Sequence, residues 1–160
     1  MFDFIVSAVV IGAGGTALLD LWNLFLNRVR GLPLPPWHLV GRWFAGWVQG
    51  VFVHRRGITQ SPPVHRELAL GWLMHYVVGV VFAAALLLLW GPGWAHAPSF
   101  IPALIVGLVT VAAGWYVLQP GMGVGVACSG AANPVQARWL NVIGHVVFAI
   151  GMYASARLFL

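Results

Sequence analysis

Lysine is absent from this sequence, and acidic side chains occur only at Asp3, Asp20 and Glu67. All eight basic residues are arginine: Arg28, Arg30, Arg42, Arg55, Arg56, Arg66, Arg138 and Arg157. Charged residues fill 7% of the 160 positions, against roughly 25% in a soluble domain. A soluble chain so poor in charge would have nothing to cover its surface with. Lipid removes that need, so the deficit points to a membrane. The single cysteine, Cys128, excludes an intrachain disulfide, a CxxC centre and the CxxCH haem-attachment signal. Without lysine there is no Walker phosphate loop, and neither HExxH nor ExxH occurs. The N-terminus lacks the basic region of a signal peptide, so the first apolar segment reads as a retained span.

What is present is apolar: 61% of residues are hydrophobic and the mean hydropathy is +0.90. Four segments, at about 4–26, 68–90, 100–119 and 138–160, are long enough to cross bilayer hydrocarbon. Each supplies about 20 residues rising about 1.5 Å apiece. Gly91-Pro92-Gly93 stops the second and Pro120 the third. The expected fold class is all-α integral membrane, a four-transmembrane-helix bundle forming one membrane domain over 1–160. Six of the eight arginines lie between Asn27 and Glu67, and none lies between Gly91 and Ser99. The positive-inside rule therefore expects the first and third loops in the cytoplasm and both termini in the periplasm. Seven tryptophans, at 22, 37, 43, 47, 72, 115 and 139, fall near the first of these boundaries, and Trp90 and Trp94 mark the other. That is the interfacial belt expected of an amphipathic ring.

Within the first loop, Val40, Trp43, Phe44, Trp47, Val48, Val51 and Phe52 recur at helical spacing, with Gly41, Arg42, Gln49 and Gly50 off the stripe. The pattern predicts an amphipathic helix over about 40–53, lying in the interface or docked on the bundle. It reads as a lid or anchor, with a partner-binding helix as the alternative. The sequence pI of about 10.8 raises nucleic acid as a ligand, but no recognition module appears and the charge flanks apolar spans. The expected partner is the lipid bilayer, with another membrane subunit or a second copy as further partners.

Chemistry is sought where ionisable groups share a depth. Asp20 precedes Arg28 by eight residues, His75 follows Glu67 by eight, and His145 follows Arg138 by seven. Each sits roughly 10–12 Å in from a charged boundary, and Thr110 on the third span reaches about the same layer. Such groups face the bundle interior and pair with one another. Several readings stay open. One is a hydrogen-bonded structural cluster. Others are a proton or ion relay, a small-ligand site, or a transition metal or b-type haem on His75 and His145 with Asp20 completing the set. The glycine-rich run from Pro120 holds Gly121, Gly123 and, further on, Cys128. It completes no phosphate-binding motif, so it reads as a tight surface or re-entrant loop. Cys128 has no basic neighbour in sequence to activate it. His38, His54, His65 and His96 read as ordinary loop polar groups.

Several stretches resemble one family: Leu19-Asp20-Leu21-Trp22, Gly41-Arg42-Trp43, Gly71-Trp72 with His75-Tyr76, Gln119-Pro120-Gly121-Met122-Gly123, and Asn133-Pro134 followed by Arg138 and His145. The chain is similar over nearly its whole length to the DUF2938 family of short, uncharacterised bacterial inner-membrane proteins. The resemblance implies that location and a small helical bundle; it implies no activity, cofactor or substrate. The leading expectation is a membrane module with a buried Asp/His site. The alternative is an accessory subunit of a larger membrane complex with no chemistry of its own. An enzyme ranks last, because no nucleophile–base pair or hydrolase motif is visible.

Overall fold

The computed structural model describes residues 1–160, all helix, turn and loop with no strand. Four helices are long and apolar enough to cross a membrane: α1 (Phe2–Arg30), α3 (Glu67–Trp90), α4 (Phe100–Gly121) and α5 (Pro134–Phe159). A shorter helix, α2 (Trp37–Trp47), precedes α3. The four expected spans are all present, and the first and last begin two and four residues earlier than expected. α1 continues to Arg30, where Gly31 takes the left-handed conformation (φ 65°) that closes a helix. α5 begins at Pro134, whose missing N–H is harmless in a first turn.

The chain forms two compact units. The first comprises Met1–Leu34, Tyr76–Thr110 and Val142–Leu160. In it α1 and the adjoining parts of α3, α4 and α5 surround a core of Ile11, Leu86, Leu87, Phe148, Ala149 and Met152. Small residues set the spacing. A Cβ on Gly12 would lie 2.5 Å from the Val80 Cα, and one on Gly151 would lie 2.8 Å from the Gly15 Cα. Backbone meets backbone at both crossings, which is how helices gain dispersion contact where lipid provides no hydrophobic drive. The outward faces carry exposed apolar side chains such as Leu88, Leu89, Ile101 and Val109. In water these would be a liability; in lipid they are the solvated surface.

The second unit comprises Pro35–His75 and Val111–Asn141. Its core is Val40, Trp43, Ile58 and Met122, with Trp37, Leu39, Phe44 and Leu118 against it. Here the structure corrects the amphipathic helix expected over 40–53. Helix α2 starts at Trp37 and ends at Trp47, and Gly50 (φ 74°) turns the chain away. Val51 and Phe52 therefore leave the helix, and Trp47, Val48, Val51 and Phe52 are exposed. Gly41 and Arg42, which the stripe leaves on the polar side, are buried. Gly41 is buried because α3 approaches it directly: a Cβ there would collide with the Glu67 carbonyl oxygen and lie 2.6 Å from the Gly71 nitrogen. Arg42 is buried because Glu67 meets it.

Candidate functional site

Polar side chains inside the first unit join helices in pairs. Asp20 on α1 accepts a hydrogen bond from the Tyr76 hydroxyl on α3 at 3.1 Å. On α5, His145 Nδ1 lies 3.0 Å from the Gly107 carbonyl of α4 and 3.1 Å from Thr110 Oγ1. The Thr110 hydroxyl itself donates to the Gly107 carbonyl at 2.9 Å. A carbonyl only accepts, so the proton on this imidazole sits on Nδ1. Nε2 is then the ring nitrogen that takes up or releases a proton. The close approach is possible because residue 107 is glycine, where a Cβ would stand 2.7 Å from the His145 carbonyl oxygen. The expected nearness of Thr110 and His145 is thus a direct contact. Tyr76 is the partner that depth counting missed. It carries the hydroxyl next in sequence to His75, and a phenol inside a span is itself a signal.

His75 belongs to the second unit, where its ring stacks on Trp37 with centroids 3.9 Å apart and planes 26° from parallel. Trp72 meets the same imidazole edge-on at 6.0 Å. No three His, Cys, Asp or Glu side chains are grouped to hold a metal ion. Asp20 and His145 have protein partners in the first unit, and His75 has them in the second.

The second unit holds two further polar centres. Arg42 donates from Nε and Nη2 to the two Glu67 carboxylate oxygens, both at 2.8 Å, and from Nη1 to the Ser61 carbonyl at 2.8 Å. Glu67 also accepts the Val64 N–H at 2.9 Å. The pair is bidentate, the strong geometry for guanidinium and carboxylate. The hydrogen bond to Glu67 raises the Arg42 pKa, against burial that acts the other way. This is a clamp, with every strong acceptor supplied by the protein.

Around Cys128, Gln119 Oε1 accepts the Cys128 N–H at 2.7 Å, and Gln119 Nε2 donates to Asn141 Oδ1 at 3.3 Å. The Trp115 indole donates to the same Asn141 oxygen at 3.0 Å. Trp115 lies in a π-helical turn, Gly114–Leu118. Such a turn releases backbone carbonyls, and that of Trp115 accepts the Ala127 N–H at 3.1 Å. Ala127 and Cys128 both have positive φ, 48° and 62°. The network accounts for this strained backbone, and it buries the thiol to 6% exposure. The expected glycine loop is a packing loop: Gly121 abuts the Trp43 indole, and Gly123 (φ 72°) presses on the chain at His54 and Gly57. The Gly121 and Met122 carbonyls accept the His54 and Ile58 N–H groups, both at 2.8 Å.

No curated protein and no solved structure gives a significant match to the chain. A family model described as a protein of unknown function (DUF2938) matches residues 9–159, which include both intramembrane pairs and both polar centres of the second unit. The chain therefore belongs to the DUF2938 family, whose function is unknown.

Proposed function

We propose that this is a bacterial inner-membrane protein that handles protons within its first unit, at Asp20 with Tyr76 and at His145 with Thr110. One observation carries the reading: Asp20, the single carboxylate in the interior of a span, is held by a hydroxyl from a second helix. Asp3 and Glu67 stand at helix starts. A carboxylate inside hydrocarbon costs about 3 kcal/mol or more, so its presence there argues for use. The Tyr76 hydroxyl both donates and accepts, and His145 offers Nε2 as an exchangeable position, so both pairs suit proton transfer. The arginine count supports an orientation with residues 31–66 and the 122–133 loop in the cytoplasm and both termini in the periplasm.

The test is proton flux. The full chain is reconstituted into liposomes containing a pH-sensitive dye, and a potassium diffusion potential is imposed. The reading expects flux above that of empty liposomes, lost in Asp20→Asn and reduced in His145→Ala, with helix content unchanged. Wild-type flux no greater than that of empty liposomes, or full flux through Asp20→Asn, contradicts it.

A further inference from the structure

The second unit has five arginines and one acidic residue, and that residue, Glu67, is committed to Arg42. Arg55 and Arg56 are exposed, and neither forms an ion pair or a hydrogen bond within the chain. They line an open depression of about 430 Å³ together with Val53, His54, Gln60 and Ser61. The backbone that carries them is fixed. The His54 N–H is bound by the Gly121 carbonyl at 2.8 Å, His54 Nδ1 shares a hydrogen bond with Ser61 Oγ at 2.7 Å, and Ile58 is fully buried. The two guanidinium groups are thus presented from a rigid frame with no internal anion to meet.

Immediately before them the chain exposes an apolar ridge. Val48 is 92% exposed, Phe52 56% and Val53 55%. This ridge lies outside every spanning helix, so the need to cross hydrocarbon does not explain it. A water-borne phosphate would satisfy Arg55 and Arg56 and leave the ridge in water; nucleic acid would do the same. An anionic phospholipid satisfies both at once, with its phosphate on the arginines and its acyl chains along Val48, Phe52 and Val53. Guanidinium suits the phosphate because its planar fork donates two parallel hydrogen bonds.

From this juxtaposition we infer that the loop from Val48 to Pro62 is a binding site for an anionic phospholipid, with Arg55 and Arg56 holding the headgroup phosphate and Phe52 and Val53 seating the chains. The site is independent of proton handling and lies in the other unit.

The test uses energy transfer from the protein's tryptophans to dansyl-phosphatidylglycerol, compared with dansyl-phosphatidylcholine, on the full chain in phosphatidylcholine-containing micelles. The wild-type protein prefers phosphatidylglycerol, and raising the salt weakens the preference. Arg55→Gln with Arg56→Gln lowers the preference by about thirtyfold, from two basic groups near the headgroup layer. Phe52→Ser with Val53→Ser weakens both lipids together. Arg157→Gln leaves the preference intact. The inference is overturned if the double arginine variant binds phosphatidylglycerol like wild type, if the Phe52/Val53 variant binds both lipids like wild type, or if the wild type shows no preference. Displacement of the lipid by millimolar glycerol phosphate also overturns it, because the ligand would then be a soluble phosphate.

Discussion

Removing one partner of the Arg42–Glu67 pair should cost the second unit more than removing both. Glu67→Gln deletes the charge and one acceptor oxygen, leaving a guanidinium at 8% exposure without its counterion. Breaking a buried pair in this way costs about 3–5 kcal/mol. The Glu67 side chain keeps 15% exposure, so the lower end, about 3 kcal/mol, is the appropriate figure. Arg42→Leu with Glu67→Leu removes the uncompensated charge and adds apolar contact beside Trp43. It leaves the Ser61 carbonyl short of a donor and the Val64 N–H short of an acceptor, both part-buried and open to water, a cost of about 1 kcal/mol each at the low end of the usual range. The double variant should therefore be more stable than Glu67→Gln, and the two sites strongly non-additive. Cys128 provides the assay, since the one thiol of the chain is buried in the same unit. Its reaction with a fluorogenic maleimide during heating reports unfolding of the chain around it. The midpoint should fall by roughly 6–12 °C in Glu67→Gln. A midpoint within a degree or two of wild type would show that the pair is water-screened and the clamp argument wrong.

Gly12→Leu should prevent assembly of the first unit, because even its Cβ would stand 2.5 Å from backbone on α3; the expected result is aggregation on size-exclusion chromatography, and a monodisperse, wild-type profile would contradict it. Thr110→Val should lower stability by less than about 1 kcal/mol, the usual scale of one interhelical hydrogen bond in a membrane. Thermal unfolding in detergent measures this, and a much larger loss would mean the hydroxyl does more than join two helices. Reporter fusions at Leu160 should read as periplasmic, following the arginine asymmetry. A cytoplasmic signal there would invert the orientation.

The four long helices were legible because hydropathy is a local property and lipid demands it along each whole span. The end of α2 was not. The apolar spacing continues through Val51 and Phe52, while the stop depends on Gly50 adopting a positive φ. Burial of Arg42 was hidden for a different reason: its partner lies 25 residues away, and a helical wheel assigns any arginine to the polar face. Counting depth from the span borders puts Thr110 and His145 in about the same layer, and the two side chains lie 3.1 Å apart. Tyr76 escapes such a depth argument because a neutral phenol carries no formal charge to mark it inside a span. The π turn at Gly114–Leu118 left no mark because the span is so uniformly apolar that a one-residue shift of register, about 100°, has no polar stripe to displace.

The central claim is that Asp20 exchanges a proton while held by Tyr76, and infrared difference spectroscopy of the reconstituted protein tests it most directly. Acid-minus-neutral spectra of the wild type should show a carboxylic acid C=O band that vanishes in Asp20→Asn and shifts in frequency in Tyr76→Phe, which removes the hydroxyl donor and keeps the ring. A spectrum in which no acid band depends on Asp20, or in which the band ignores loss of the Tyr76 hydroxyl, would contradict the account.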